Sequence, residues 1–151
     1  MCIECPDSWT FVSISQRCIK GFNDLQSRSF GQQIFEQNLG GLITLNDANL
    51  MNAVGALNLR SDCNYWVNAV DSKTEGTFVW SFDGTVVSSS FSAIGIGFCF
   101  GFPLISYTSN CLVLRTSTLP WCFLDSACSS SSCYVCEKFT WNFKFINMNP
   151  F

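Results

Sequence analysis

The chain contains no histidine among its 151 residues. Without imidazole there is no Ser–His–Asp or Cys–His nucleophile and no zinc site that relies on a histidine ligand. The usual proton shuttle of neutral pH is missing as well. Charge is scarce too, since Asp, Glu, Lys and Arg make up 13% of the residues, about half the ordinary share. The few Lys and Arg residues nowhere cluster, and the net charge is −3. Nucleic acid, which is bound by neutralising phosphates with a basic face, is excluded as a partner. The acidic residues are equally scattered, and no two stand in a pattern that suggests a paired acid and base. No Asn-x-Ser/Thr sequon is present. Nothing here points to an enzyme, a metal or a cofactor.

What is present is apolar and rich in sulfur. Hydrophobic residues make up 48% of the chain and aromatics 15%, which excludes intrinsic disorder. A chain of this length forms one domain, burying roughly 68–70% of its unfolded surface. The ten cysteines are Cys2, Cys5, Cys18, Cys63, Cys99, Cys111, Cys122, Cys128, Cys133 and Cys136. An even number in a chain of this size reads as a disulfide framework made in an oxidising compartment, hence a secreted or extracellular protein. The competing reading takes Cys2-x2-Cys5 and Cys133-x2-Cys136 as the two knuckles of a four-thiolate zinc site. More than a hundred residues separate those knuckles, and six cysteines would be left over, so disulfides are preferred. No signal peptide is visible: Met1 leads straight into Cys2-Ile3-Glu4-Cys5-Pro6, without a basic start or an apolar stretch. A mature fragment and a gene model short of its first exon are both open.

Along the chain, residues 9–13 read as a short strand. Ser29 is placed to cap a helix with Phe30, Ile34 and Leu39 on one face, stopped by Gly40-Gly41. Residues 42–45 read as a short buried strand or connector. Asn46 is placed to cap a second helix carrying Leu50, Val54 and Leu57. Strands follow at 65–69, 78–80, 111–114, 121–124 and 134–137, the 78–80 strand ending at the Asp83-Gly84 turn. Two early helices and mostly later strands make an α+β fold. Residues 84–114 carry no charge at all. In its apolar centre, residues 91–105, three glycines and Pro103, with no flanking basic cluster, argue against a transmembrane span, so the stretch reads as a loop packed on its own aromatics. In the tail, residues 139–151, Phe139, Trp141, Phe143 and Phe145 alternate as in one more strand. Uncovered, such a strand would be an edge for self-association; otherwise it packs on the N-terminal hairpin.

Taken in order, several short motifs resemble a C-type lectin-like domain. They are Cys5-Pro6-Asp7-Ser8-Trp9 with Cys18, Gly40-Gly41-Leu42, Tyr65-Trp66-Val67-Asn68-Ala69 and Gly76-Thr77-Phe78-Val79-Trp80-Ser81. Cys111-Leu112-Val113-Leu114, Asp125-Ser126-Ala127-Cys128 and Tyr134-Val135-Cys136-Glu137-Lys138 complete the series. The resemblance covers about residues 5–138, giving a domain of residues 1–138 and a tail of 139–151. It implies two helices, small antiparallel sheets, a long loop over the uncharged stretch, and Trp66 and Trp80 in the core. It also implies Cys5 bonded to Cys18 and Cys111 to Cys128. The family's helix-to-last-strand disulfide needs a cysteine near Glu36, and none exists there. Because chain ends lie side by side in this family, Cys2 is expected to bond Cys136 or Cys133. Cys63, Cys99 and Cys122 stay unassigned, one of them a candidate to tie the long loop to the sheet.

Sugar-binding members of that family hold calcium between two carboxylate or amide residues flanking a loop proline, together with an Asn-Asp pair on the following strand. Here Pro103 is flanked by Phe102 and Leu104, and the strand pair reads Leu124-Asp125. Asp125 alone cannot supply the six to eight oxygens that calcium takes. The resemblance therefore implies a recognition module without a metal, binding a protein or glycan. Phe98, Phe100, Phe102, Tyr107 and Trp121 are the candidate ligand-binding residues. The loop's Phe91, Phe98, Phe100, Phe102, Ile105 and Tyr107 either form a private minicore stapled through Cys99 or expose an apolar docking patch, and a third reading takes Trp121 or Tyr107 as a platform for stacking a sugar. The alternatives are a carbohydrate lectin with a displaced site and a self-associating matrix protein.

Overall fold

The computed structural model of the chain describes residues 5–37 and 40–139, for residues 34–37 the backbone only. The elements run β1 (Thr10–Val12), β2 (Arg17–Gln26), α1 (Arg28–Gln37), β3 (Gly40–Leu42), α2 (Ala48–Gly55), β4 (Asn64–Val70) and β5 (Val79–Trp80). There follow α3 (Phe91–Ile94), β6 (Cys111–Arg115), β7 (Cys122–Ser126) and β8 (Ser132–Phe139). The fold is α+β, with one departure from the expected small antiparallel sheets: the strands form a single mixed sheet in the order β1-β2-β8-β4-β6-β7. β8 lies at its centre. β2 pairs along one side of it, while β4, running parallel, and β3 share the other side.

Period-two alternation sends each strand's side chains to two separate cores. Tyr65, Val67 and Ala69 of β4, Leu112 and Leu114 of β6, and Val135 of β8 meet α2 through Leu50 and Val54. Trp66, Val113, Tyr134 and Cys136 point to the opposite face with Leu42 and Leu124. α1 lies over that second face, with Gly31 near Leu42 and Tyr134. Trp66 and Trp80 are both fully buried, as expected, and each indole N–H is satisfied: Trp66 donates to the Gln26 carbonyl at 2.8 Å and Trp80 to the Ser90 hydroxyl at 3.1 Å. Each such ring contributes on the order of 2–3 kcal/mol in transfer terms.

Several local expectations shift. The second helix is capped by Asp47 rather than Asn46, the Leu50 amide donating to Asp47 Oδ1 at 2.7 Å. α1 begins at Arg28, ahead of Ser29. Gly40-Gly41 is not a helix stop but the start of β3. A Cβ on Gly40 would stand 2.5 Å from the Glu137 carbonyl oxygen, so only glycine lets this strand close on β8. Beyond the two expected helices, a 3-10 turn at Val87–Ser90 leads into α3 inside the long loop. β2 has no counterpart in the sequence reading, because Lys20, Asn23 and Asp24 break any apolar alternation. Phe139 closes β8, and the rest of the tail lies outside the described residues.

Across the β2–β8 pair, Arg17 Nη1 donates to Glu137 Oε2 at 3.0 Å and to the Thr44 carbonyl at 3.1 Å. Both side chains are buried. Burial pushes the Glu137 carboxyl up to about 7, against the opposing pull of Arg17. Its folded value lies above the unfolded one, so its contribution is greatest below about pH 4.5 and is lost as pH rises through about 7. Denaturant midpoints are therefore expected to fall from pH 5 to pH 8, with that slope removed in Glu137→Gln. A midpoint that rises over the same interval in the native chain contradicts the assignment.

Candidate functional site

The uncharged segment between β5 and β6 folds as a long loop fastened to the outer edge of β7. Phe91 packs edge-on to Phe98 at 5.0 Å and stacks on Phe123 at 6.1 Å, while Phe98 also meets Phe78 at 6.4 Å. The Cys99 amide donates to the Phe123 carbonyl at 2.7 Å, and the Phe123 amide to the Gly97 carbonyl at 2.8 Å. A Cys99–Cys122 disulfide ties the loop to the sheet covalently. This also covers the β7 edge on which another strand could otherwise add. At the loop's base Cys111 is bonded to Cys128, and at the N-terminal hairpin Cys5 to Cys18. Cys133 is bonded to Cys63, which overturns the expected alternative of Cys133 with Cys2 and removes one ligand of the zinc reading. Cys2 lies outside the described residues.

Asp125 is buried, and both its carboxylate oxygens accept the Leu104 amide, at 2.9 and 3.0 Å. That carboxylate thus holds loop backbone. Leu124 beside it packs into the second core, and Phe102 lies under Arg115 at 5.8 Å.

The minicore and the exposed patch both exist, built from different residues. Phe91, Phe98 and Cys99 make the packed part, whereas Phe100 is fully exposed and Tyr107 is 86% exposed. Leu104 and Ile105 stand between them, more than half exposed. Of the five sequence candidates, Phe100 and Tyr107 offer their rings to solvent. Phe98, Phe102 and Trp121 are half-buried against the two cores. Leu104 joins the exposed set and was not among those candidates.

Under this tip lies a cluster that the sequence reading passed over. Asp71, at the end of β4, is buried; its amide donates to the Asn110 carbonyl at 3.2 Å, and its Oδ2 accepts the Gly76 amide at 2.9 Å. Asp71 Oδ1, Glu75 Oε1 and Asn110 Oδ1 are buried oxygens that accept from no donor. Burial raises the Glu75 carboxyl, with the charges of Asp71 and Asp125 adding to it. Gly76 has φ +82°, and a Cβ there would come 3.2 Å from Ile105 Cγ1, so the loop tip rests directly on this turn. Buried acceptors without protein donors are satisfied by a shared proton, a bound water or a cation. Two carboxylates and an amide form a hard-oxygen set suited to calcium or magnesium. Among the described residues no three acidic or cysteine side chains form a metal cluster by themselves, so water or backbone oxygen would complete the shell. Asn110 and Ser72 also line an open cavity of about 400 Å³ beside the Cys111–Cys128 disulfide. The available signal was Asp71-x3-Glu75 directly after a core strand, with Asn110 just before Cys111.

This architecture, a β8-centred sheet with a long loop stapled at its base, is the C-type lectin-like fold. Among solved structures, human lithostathine is 19% identical, with a TM-score of 0.73 over 91% of this chain and 92% of that one. A calcium-independent type II antifreeze protein is likewise 19% identical, at 0.73 over 92% and 97%. The C-type lectin domain of murine dendritic cell inhibitory receptor 2, solved in complex with an N-glycan, is 18% identical at 0.73 over 89% and 98%. No protein-family model and no curated protein matches the chain. Similarity at this level establishes the fold. Among the described residues no helix is long and apolar enough to cross a membrane.

Proposed function

We propose that the chain is an extracellular recognition module that binds a protein or glycan directly through its long-loop tip, without metal-bridged contact and without catalysis. The observation that carries this reading is the exposure of Phe100, Leu104, Ile105 and Tyr107 on a charge-free loop bonded to β7. An apolar, aromatic surface held in place is suited to an interface anchor, because little ordering entropy is lost on docking. A fold shared with a calcium-independent type II antifreeze protein supports a mode that needs no metal at the ligand. The glycan-bound receptor domain supports a sugar ligand as the alternative on the same face. Disulfides support an extracellular setting.

A second reading rests on the orphan oxygens. Asp71, Glu75 and Asn110 are suited to holding a divalent cation beneath the tip, where it would steady the loop without touching the ligand. The two readings are tested separately. Arrays of glycans and of extracellular proteins, probed in chelator, are expected to give binding that weakens at least about tenfold in Phe100→Ser/Tyr107→Ser. Binding that the double variant leaves intact would move the site elsewhere. Calcium is expected to bind with one-to-one stoichiometry and raise the melting temperature by about 5–10 °C at saturation, an effect absent from Asp71→Asn. No heat and no shift would overturn the cation reading.

A further inference from the structure

At the end of the sheet away from Asp71 and Asn110, the starts of β4 and β8 and the turn after β6 enclose an open cavity of about 350 Å³. We propose that this cavity is a second binding site, which takes one uncharged sugar ring of a glycan. It stands apart from the Asp71–Asn110 cluster and the loop tip, so it neither needs nor weakens the readings above.

Strand register fixes the location. Val70 pairs with Cys111 beside the loop base, whereas Asn64 pairs with Arg115 at the other end of β4, about 20 Å along the strand. The cavity is also held in shape. The Cys63–Cys133 disulfide joins the starts of β4 and β8. Thr116 Oγ1 donates to the Arg60 carbonyl at 2.6 Å, and the Arg60 amide donates to the Tyr65 hydroxyl at 2.8 Å. Both bonds fix the segment that leads into Cys63. On β2, Phe22 lies opposite Tyr134 and Gln26 opposite Ser132, so Asn23, Asp24 and Leu25 together face Cys133 alone. That bulge carries Leu25 out to the cavity wall, where it is 58% exposed.

The lining decides the class of ligand. Ser61, Ser117, Ser131, Ser132 and Asn64 line the cavity. Among the described residues none of these five side chains is hydrogen-bonded, although Ser132 is only 7% exposed. Hydroxyls and amides both donate and accept, which matches the hydroxyls of a sugar. Asp62 is the one charged residue in the wall, and Arg60 donates to both its oxygens, Nε to Oδ1 at 2.7 Å. Those bonds hold the Asp62 carboxyl below the usual carboxylate range, so it remains an acceptor at neutral pH. With the pair neutral, the wall offers no net charge to attract an ion. Leu25 gives the C–H face of a ring an apolar contact. The volume lies near the lower end of the range for small-ligand sites, in keeping with a single ring.

The test uses the isotope-labelled full chain and the methyl glycosides of glucose, galactose, mannose, N-acetylglucosamine and fucose, titrated in chelator and followed by amide chemical shifts. At least one glycoside is expected to shift the amides of Asp62, Asn64, Ser117 and Ser131 saturably. Asn64→Ala is expected to weaken that binding about five- to tenfold. Ser131→Trp, which fills the cavity from an exposed position, is expected to abolish it. The Phe100→Ser/Tyr107→Ser variant is expected to bind as the native chain does. The same spectra show that each variant is folded. Shifts confined to the loop tip would overturn this site while supporting the tip reading. No saturable shift from any of these glycosides would overturn it too, as would native affinity in both Asn64→Ala and Ser131→Trp.

Discussion

The bond from the Leu104 amide to the buried Asp125 carboxylate addresses a constraint set by composition. A stretch of 31 residues, 84–114, without a single charged side chain has no ion pairs of its own with which to fix its shape. A loop of that length is held only if its backbone is satisfied and its apolar residues find a surface. Here the surface is the first core, entered by Phe91, Phe98 and Ile94, and the satisfaction comes from β7. Asp125 lends the loop a charge from the neighbouring strand, and Cys99–Cys122 makes the attachment covalent. With those anchors in place, Phe100 and Tyr107 stand in solvent on a fixed base.

The remainder of the fold is arranged around β8. That strand takes hydrogen bonds from three neighbours, feeds both cores by simple alternation, and carries Glu137 where β2 and the segment after β3 converge. The Arg17–Glu137 pair is buried in a protein with few charges, and removing one partner of such a pair typically costs about 3–5 kcal/mol because the other is left uncompensated. The orphan oxygens of Asp71, Glu75 and Asn110 are the counter-case: buried oxygens for which the described residues supply no donor. The first cluster pairs opposite charges, although Arg17 Nε and Thr44 Oγ1 within it have no hydrogen-bond partner among the described residues; the second is short of a positive partner and sits under the loop tip.

Much of this was readable in the residues. Tyr65 to Ala69 is rich in β-forming residues, so the β4 strand shows plainly. The order of cysteines and tryptophans carried the resemblance, and with it the Cys5–Cys18 and Cys111–Cys128 pairs. β2 did not show, because its strand state comes from pairing with β1 and β8 rather than from its own pattern. The role of Gly40 as a contact glycine needed the Glu137 carbonyl in view. Which loop aromatics are buried was also illegible: Phe98 and Phe100 are two residues apart with the same side chain, and only the bonds to Phe123 decide which one turns inward. Asp71 and Glu75 were visible but silent, since scattered carboxylates acquire meaning only when burial removes their donors.

That the loop is a preformed surface, not one assembled on binding, is tested most directly by native-state hydrogen exchange of the Leu104 amide in the free protein. The account predicts protection comparable to that of the Phe123 amide in β7, since both close bonds between loop and sheet. Exchange of Leu104 at the rate of an unstructured amide, with Phe123 still protected, would mean that the tip is not held and that the recognition face has yet to form.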